Sequence, residues 1–218
     1  MPNLSTIKDS EHCFICGGTG SGKSVLADVY TAGAPETVIK IDIKDDTFSR
    51  RRDGEPVWRG LVEGEDFEVC YSLEAVKRSE FNKIIYVPPF EEQNLETYDE
   101  LCKYVYDEGY MRLWIDETML FCESAQRYPP FLKAILVSGR SRKATVTLCT
   151  QRPMGIPPIC IANCQHFFVF RMNNEQDRKK MADVTGCRTL MEPPPKYHFW
   201  YYNEGENPDT IRKWTLKL

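Results

Sequence analysis

Residues 17–24 read Gly17-Gly18-Thr19-Gly20-Ser21-Gly22-Lys23-Ser24, a glycine-rich loop closed by a lysine and a hydroxyl. Glycines at this spacing let successive backbone N–H groups turn inward around an anion, and a helix starting at the loop adds its positive dipole end. In that arrangement Lys23 reaches the β- and γ-phosphates of a nucleotide, and Ser24 holds Mg²⁺. Two further groups are of matching chemistry. Asp116 and Glu117 follow the apolar run Leu113-Trp114-Ile115, which places Asp116 at the end of a strand as a Mg²⁺ ligand and Glu117 one residue on as a general base for an attacking water. Gln151 ends the run Thr145-Val146-Thr147-Leu148-Cys149-Thr150. An amide there can hold the water or sense the γ-phosphate. The pattern points to hydrolysis of ATP with Mg²⁺.

These groups need elements to hold them. The segment His12–Cys16 reads as a short strand before the loop, and a helix is predicted from Gly22 to about Ala32. Strands are predicted at Thr37–Ile43, Lys83–Val87, Arg112–Ile115, Thr145–Cys149 and His166–Phe170. Helices are predicted at Glu91–Glu108, Pro130–Gly139 and Asn174–Val184 from their apolar spacing. The stretch from Lys44 to Gly60 reads as polar and highly charged. Alternating strands and helices give an α/β fold: a three-layer P-loop architecture, with a mostly parallel central sheet and helices on both faces. Residues 1–192 are expected to form the motor domain. Residues 193–218, after Pro193-Pro194-Pro195, are expected to form a C-terminal β-hairpin appendage packed on it, from Tyr197–Tyr202 and Thr210–Leu218.

Composition excludes other classes. The 218 residues carry 28 Lys+Arg against 32 Asp+Glu, a net charge of −4, with 42% hydrophobic residues, which is a core-forming chain and not a disordered one. That charge is wrong for a monomer that coats nucleic acid. No apolar run is long enough for a membrane helix, and the polar start shows no signal-peptide pattern. The nine cysteines are expected to be reduced and buried. Cys13 and Cys16 sit three apart on a strand, which points them to opposite faces and away from a shared metal. An Asn-Lys-x-Asp guanine-reading segment is absent from the sequence, which argues against a GTPase, and the Asp-Glu pair argues against a small kinase.

Taken in order, GGTGSGKS, LWIDE and CTQRP resemble the motifs of the FtsK–HerA superfamily of ring-shaped ATPases. Asp42-Ile43-Lys44 resembles the Asp-x-Lys after the second strand of that family, and Gly139-Arg140-Ser141-Arg142-Lys143 the segment before its sensor strand. The resemblance covers about residues 10–172. It implies the additional-strand class of P-loop fold and a homo-oligomeric ring, a hexamer or pentamer, with double-stranded DNA in the pore. It also implies a catalytic arginine supplied by a neighbouring subunit, for which Arg140 and Arg142 are the candidates and Arg142 is preferred. Arg152 is instead expected to tie down the sensor loop.

With short termini the chain is close to a bare motor, and bare motors of this size resemble small viral genome-packaging ATPases and related phage or plasmid proteins; the Met1 start is expected to mark a complete small protein. That resemblance implies a host-cytoplasmic or virion-associated protein that does not insert in membranes, with a capsid or portal vertex protein as a further partner. An ATPase of a secretion, conjugation or assembly machine that moves protein is the alternative. The basic stretch Arg50-Arg51-Arg52 with Trp58-Arg59 is the first choice for touching DNA phosphates, ahead of Lys77-Arg78 and Arg178-Lys179-Lys180.

Overall fold

The computed structural model describes residues 7–207 and 210–216. Nine strands form a single sheet in the order β3-β4-β2-β5-β6-β1-β7-β8-β9. These are β1 Cys13–Cys16, β2 Thr37–Ile41, β3 Glu68–Cys70, β4 Lys83–Tyr86, β5 Met111–Ile115, β6 Ala144–Thr150, β7 His166–Phe170, β8 His198–Asn203 and β9 Arg212–Thr215. All pairings from β3 through β7 are parallel; β8 and β9 join antiparallel. The central strands are buried along their length, as continuous apolar runs covered on both faces must be.

Helices α1 (Lys23–Ala32), α2 (Asp46–Arg52), α3 (Leu73–Arg78), α4 (Leu95–Glu108), α5 (Thr118–Phe121), α6 (Pro130–Ser138), α7 (Pro158–Ala162) and α8 (Glu175–Thr185) complete the layers. Two apolar clusters fill them. One joins α4 and α6 to one sheet face through Leu101, Leu132 and Leu148; the other joins α1 to the opposite face through Leu26, Trp58, Trp114 and Phe168. Strand β6 stands between β1 and β5, so one strand separates the loop strand from the acidic strand. That insertion is the additional strand expected from the sequence.

Several elements arise without a periodic signal. The polar stretch after Lys44 contains α2, whose buried residue is Thr47. It forms because buried Asp42 accepts from the Asp46 and Thr47 amides at 3.0 and 2.7 Å, and Asp45 caps Phe48. The runs expected to pair at the end of the chain do so, as β8 and β9, although Pro208 and the last two residues lie outside the described residues. Strand β8 pairs directly with β7 and thereby extends the central sheet. Among the described residues no helix is long and apolar enough to cross a membrane. All nine cysteines are free and buried, and among the described residues no group of three or more His, Cys, Asp or Glu side chains is placed to hold a metal.

Candidate active site

The loop 17–22 leaves the C-terminal end of β1 and enters α1 at Lys23. Its path depends on glycine. A Cβ on Gly17, which has φ 154°, would come 2.4 Å from Phe170 Cβ, and Gly22 adopts φ 105° at the helix cap. The loop is pinned on each side by a neighbouring strand end: Gly17 N–H donates to the Thr150 carbonyl and Gly18 N–H to the Arg171 carbonyl.

Lys23 is buried and its Nζ donates to the Gly17 and Gly18 carbonyls at 2.8 and 3.1 Å. Burial pulls this amine below the usual lysine range, although Cys149, Asp116 and Glu117 act in the other direction. A buried cation without a paired carboxylate at contact distance is suited to an incoming polyphosphate. Ser24 Oγ donates to Asp116 Oδ1 at 3.1 Å, so hydroxyl and carboxylate meet from α1 and the end of β5. The pair fits Mg²⁺, a hard cation that takes one or two protein oxygens and fills its octahedron with water and phosphate.

Glu117 follows at the cap of α5 and is also buried. Its Oε1 has no hydrogen-bond partner, and its Oε2 lies 3.2 Å from Lys44 Nζ, which also lies 4.0 Å from Asp116 Oδ2. A buried carboxylate oxygen left unpaired is costly unless something else uses it, and a water to be activated is such a user. Partial burial works against the Lys44 ammonium, but Asp116 and Glu117 outweigh it and hold the lysine above its usual range. Thr118 Oγ1 donates to the Cys149 carbonyl at 2.9 Å, tying the turn that carries both acids to β6.

Gln151, one residue past β6, accepts from Thr19 Oγ1 at 2.8 Å. The amide therefore touches the phosphate loop itself. Arg152 turns away: its Nε is 2.9 Å from the buried carboxylate of Asp177 on α8, which also accepts from the Met154 amide. It fastens the segment after the sensor strand.

Behind the loop, buried Asp28 on α1 lies 2.9 Å from Arg50 on α2 and 3.5 Å from Lys40 on β2. The Trp58 indole donates to the Asp28 carbonyl at 3.3 Å and is fully buried. Arg50 and Trp58 of the basic stretch are therefore not free to touch DNA, whereas Arg51 and Arg52 stay at the surface. Arg50 faces inward to a carboxylate, and Trp58 is core because its large ring packs edge-on against Trp114, 5.7 Å between centroids. Arg51 pairs with Glu63 and Tyr71, and Arg52 with Asp53. Of the other basic runs, Lys77 pairs with Glu100 and Arg78 with Glu74, while Arg178 donates to the Met172 and Asn173 carbonyls.

Arg140 and Arg142 lie elsewhere. They occupy a 3₁₀ turn, Gly139–Arg142, just before β6 begins, whereas the loop and the acids stand where the strands end. A seven-residue strand spans roughly 20 Å, so neither guanidinium can reach its own chain's loop. Both are exposed; Arg142 stacks over Tyr106 at 4.8 Å and Arg140 donates to the Ser10 carbonyl.

The fold is that of the P-loop NTPases of the additional-strand class. The chain is homologous to the DNA packaging ATPase P9 of Enterobacteria phage PRD1, 25% identical over 223 residues that span 95% of this chain and 86% of P9. Its fold is that of the genome packaging NTPase B204 from Sulfolobus turreted icosahedral virus 2, solved with ATP-gammaS: TM-score 0.73, 17% identity, 97% of this chain and 100% of that one. VirB4 of Thermoanaerobacter pseudethanolicus shares the fold at TM-score 0.65 and 10% identity, over 97% of this chain and 93% of the other. No family model matches the chain. The FtsK–HerA resemblance carried by the three motifs therefore holds, on the side of its small viral packaging ATPases.

Proposed function

We propose that this protein is the ATPase motor of a genome-packaging machine, hydrolysing ATP to drive double-stranded DNA through a homo-oligomeric ring. The observation that carries the reading is the convergence at one sheet edge of Lys23, Ser24, Asp116, Glu117 and Gln151, from three adjacent strand ends, with Gln151 bonded to the loop through Thr19. Homology to a packaging ATPase along nearly the whole chain supports the substrate. The VirB4 likeness is one of fold and does not extend to what is moved.

In this mechanism the backbone amides of residues 17–22 and Lys23 hold the triphosphate and neutralise charge on it. Ser24 and Asp116 would hold Mg²⁺, which would supply positive charge against the negative charge developing on the phosphates. Glu117 takes the proton of the attacking water, its position set by Lys44, and Gln151 links the γ-phosphate side of the loop to β6. The opposite-edge placement of Arg140 and Arg142 supports their use on a neighbour's nucleotide, Arg142 first, in a hexamer or pentamer. An arginine in that role is worth about 10³–10⁵ in rate in other phosphoryl-transfer enzymes. The setting we propose is the host cytoplasm, in association with the virion, with a capsid or portal vertex protein as docking partner.

The test is ATP turnover with and without double-stranded DNA under conditions that permit ring assembly. DNA is expected to stimulate hydrolysis, and Glu117→Gln to bind nucleotide while losing nearly all turnover. A rate indifferent to DNA removes the DNA-motor reading; wild-type turnover in Glu117→Gln removes that residue from its role.

A further inference from the structure

Charge is divided unevenly along the chain. Residues 61–100 hold eleven Asp and Glu against three Lys and Arg. Of those three, Lys83 is buried against backbone carbonyls, and Lys77 and Arg78 are paired with Glu100 and Glu74. Residues 124–174 reverse the balance, with seven Lys and Arg and no acid. The acidic segment builds the β3–β4 end of the sheet, and the basic one contains the exposed turn before β6.

Both regions expose apolar side chains. At the acidic corner Phe90 is 86% exposed, and Phe48, Val62 and Tyr71 are each more than half exposed. These side chains adjoin one another. Phe48 lies three residues before Arg51 on the same face of α2, and Arg51 donates to Tyr71 Oη and pairs with Glu63, next to Val62. Ile43, Tyr71, Val87 and Phe90 line a cavity of about 320 Å³. On the basic side Val137 is 61% exposed, one turn after exposed Lys133 on α6 and just before Arg140–Lys143. A surface that is apolar at its centre and charged at its rim is that of a protein contact, and acids at the rim repel a phosphate backbone.

We propose that the acidic corner is the seat of the next copy of this chain, taking Val137 into the cavity and the basic turn along its rim. The inference rests on the ring reading above and names the two surfaces that close it. A head-to-tail ring joins two different patches of one subunit, so a single chain must carry both halves of a complementary pair. The two patches are opposite in charge and lie at opposite edges of the sheet, the corner where β2, β3 and β4 end and the basic turn where β6 begins. Their spacing agrees with the use of Arg142 on a neighbour's nucleotide. The end of β4 lies two strands from the end of β5, about 10 Å. Val137 and Arg142 are five residues apart across the end of α6, a span of about the same length. A copy seated with Val137 in the cavity has Arg142 within reach of Glu117.

The experiment is sedimentation velocity of the full chain with Mg²⁺, ATPγS and duplex DNA, read as the protein concentration at which half is assembled. Phe90→Ser and Val137→Ser, both at exposed positions, are expected to raise that concentration about tenfold, the scale of one buried apolar anchor. Their thermal unfolding midpoints verify the fold. Glu91→Lys/Glu96→Lys and Lys133→Glu/Lys143→Glu, also exposed, are each expected to block assembly alone. Mixed in equal amounts they are expected to assemble, because unlike copies then meet with opposite charges. Variants that all assemble as wild type does overturn the proposal, leave the ring reading in place and free the corner for a different protein. Loss in both charge variants without recovery in the mixture also overturns it. A wild type that stays monomeric overturns the ring reading and this contact with it.

Discussion

The Lys44 ammonium lies 3.2 Å from Glu117 Oε2 and 4.0 Å from Asp116 Oδ2, one cation shared by two adjacent acids. Its backbone is fixed from below by Asp42, which is buried and accepts two amides and the Thr47 hydroxyl from the first turn of α2. The Asp-x-Lys pair divides the work: the aspartate shapes the turn, and the lysine reaches the site. In this arrangement Lys44 is a positioning residue for Glu117.

Lys44→Met keeps the length of the side chain and removes the charge. It is expected to lower kcat about tenfold or more, a part of the roughly 10²–10⁴ that a placed general base contributes, while nucleotide affinity moves little. Steady-state turnover and equilibrium binding measured on the same variant separate the two. An unchanged kcat removes Lys44 from the positioning of Glu117.

Arg142 stands at the strand edge opposite its own loop, so in the proposed mechanism it acts across a subunit boundary. Arg142→Ala subunits retain the loop, and Lys23→Ala subunits retain the arginine. Mixed before assembly, they are expected to hydrolyse ATP faster than either alone, because some interfaces then hold both intact halves. A mixture no faster than the sum of its parts speaks against action between subunits.

The structure also sets a pH dependence of stability. Burial, then the charges of Arg112 and Arg140, push the His12 imidazole from 6.5 down to about 3. Its Nδ1 accepts from the Val146 amide at 3.1 Å, a bond that requires the neutral ring at that nitrogen. The native state therefore refuses a proton that the unfolded chain takes up near pH 6.5. His12 contributes stability above that pH, and loses it at up to about 1.4 kcal/mol per unit as pH falls toward 3. Urea unfolding at pH 7 and pH 5 is expected to show a steeper acid loss in wild type than in His12→Gln. Equal slopes would mean that the ring is protonated in the fold.

How far the sequence reveals these features follows from their geometry. The phosphate loop, Asp116-Glu117 and Gln151 are legible because each lies at the end of an apolar, β-branched strand, and strands of one parallel sheet bring their ends together. The three-residue strand β3 and the helices α2 and α3 leave no such trace. They are too short for a period to show, and side-chain caps rather than an apolar stripe hold α2. Trp58 beside arginines reads as a surface aromatic, yet the buried Asp28 draws Arg50 inward and Trp58 goes with it.

Movement along DNA is the claim on which the rest depends, and displacement of a third strand from a DNA triplex measures it directly. Wild-type protein with Mg²⁺ and ATP is expected to strip the third strand from a long duplex at a rate that tracks hydrolysis, and Glu117→Gln to leave it in place while still binding nucleotide. Assembled rings that hydrolyse ATP on that duplex and leave the triplex intact would contradict the account.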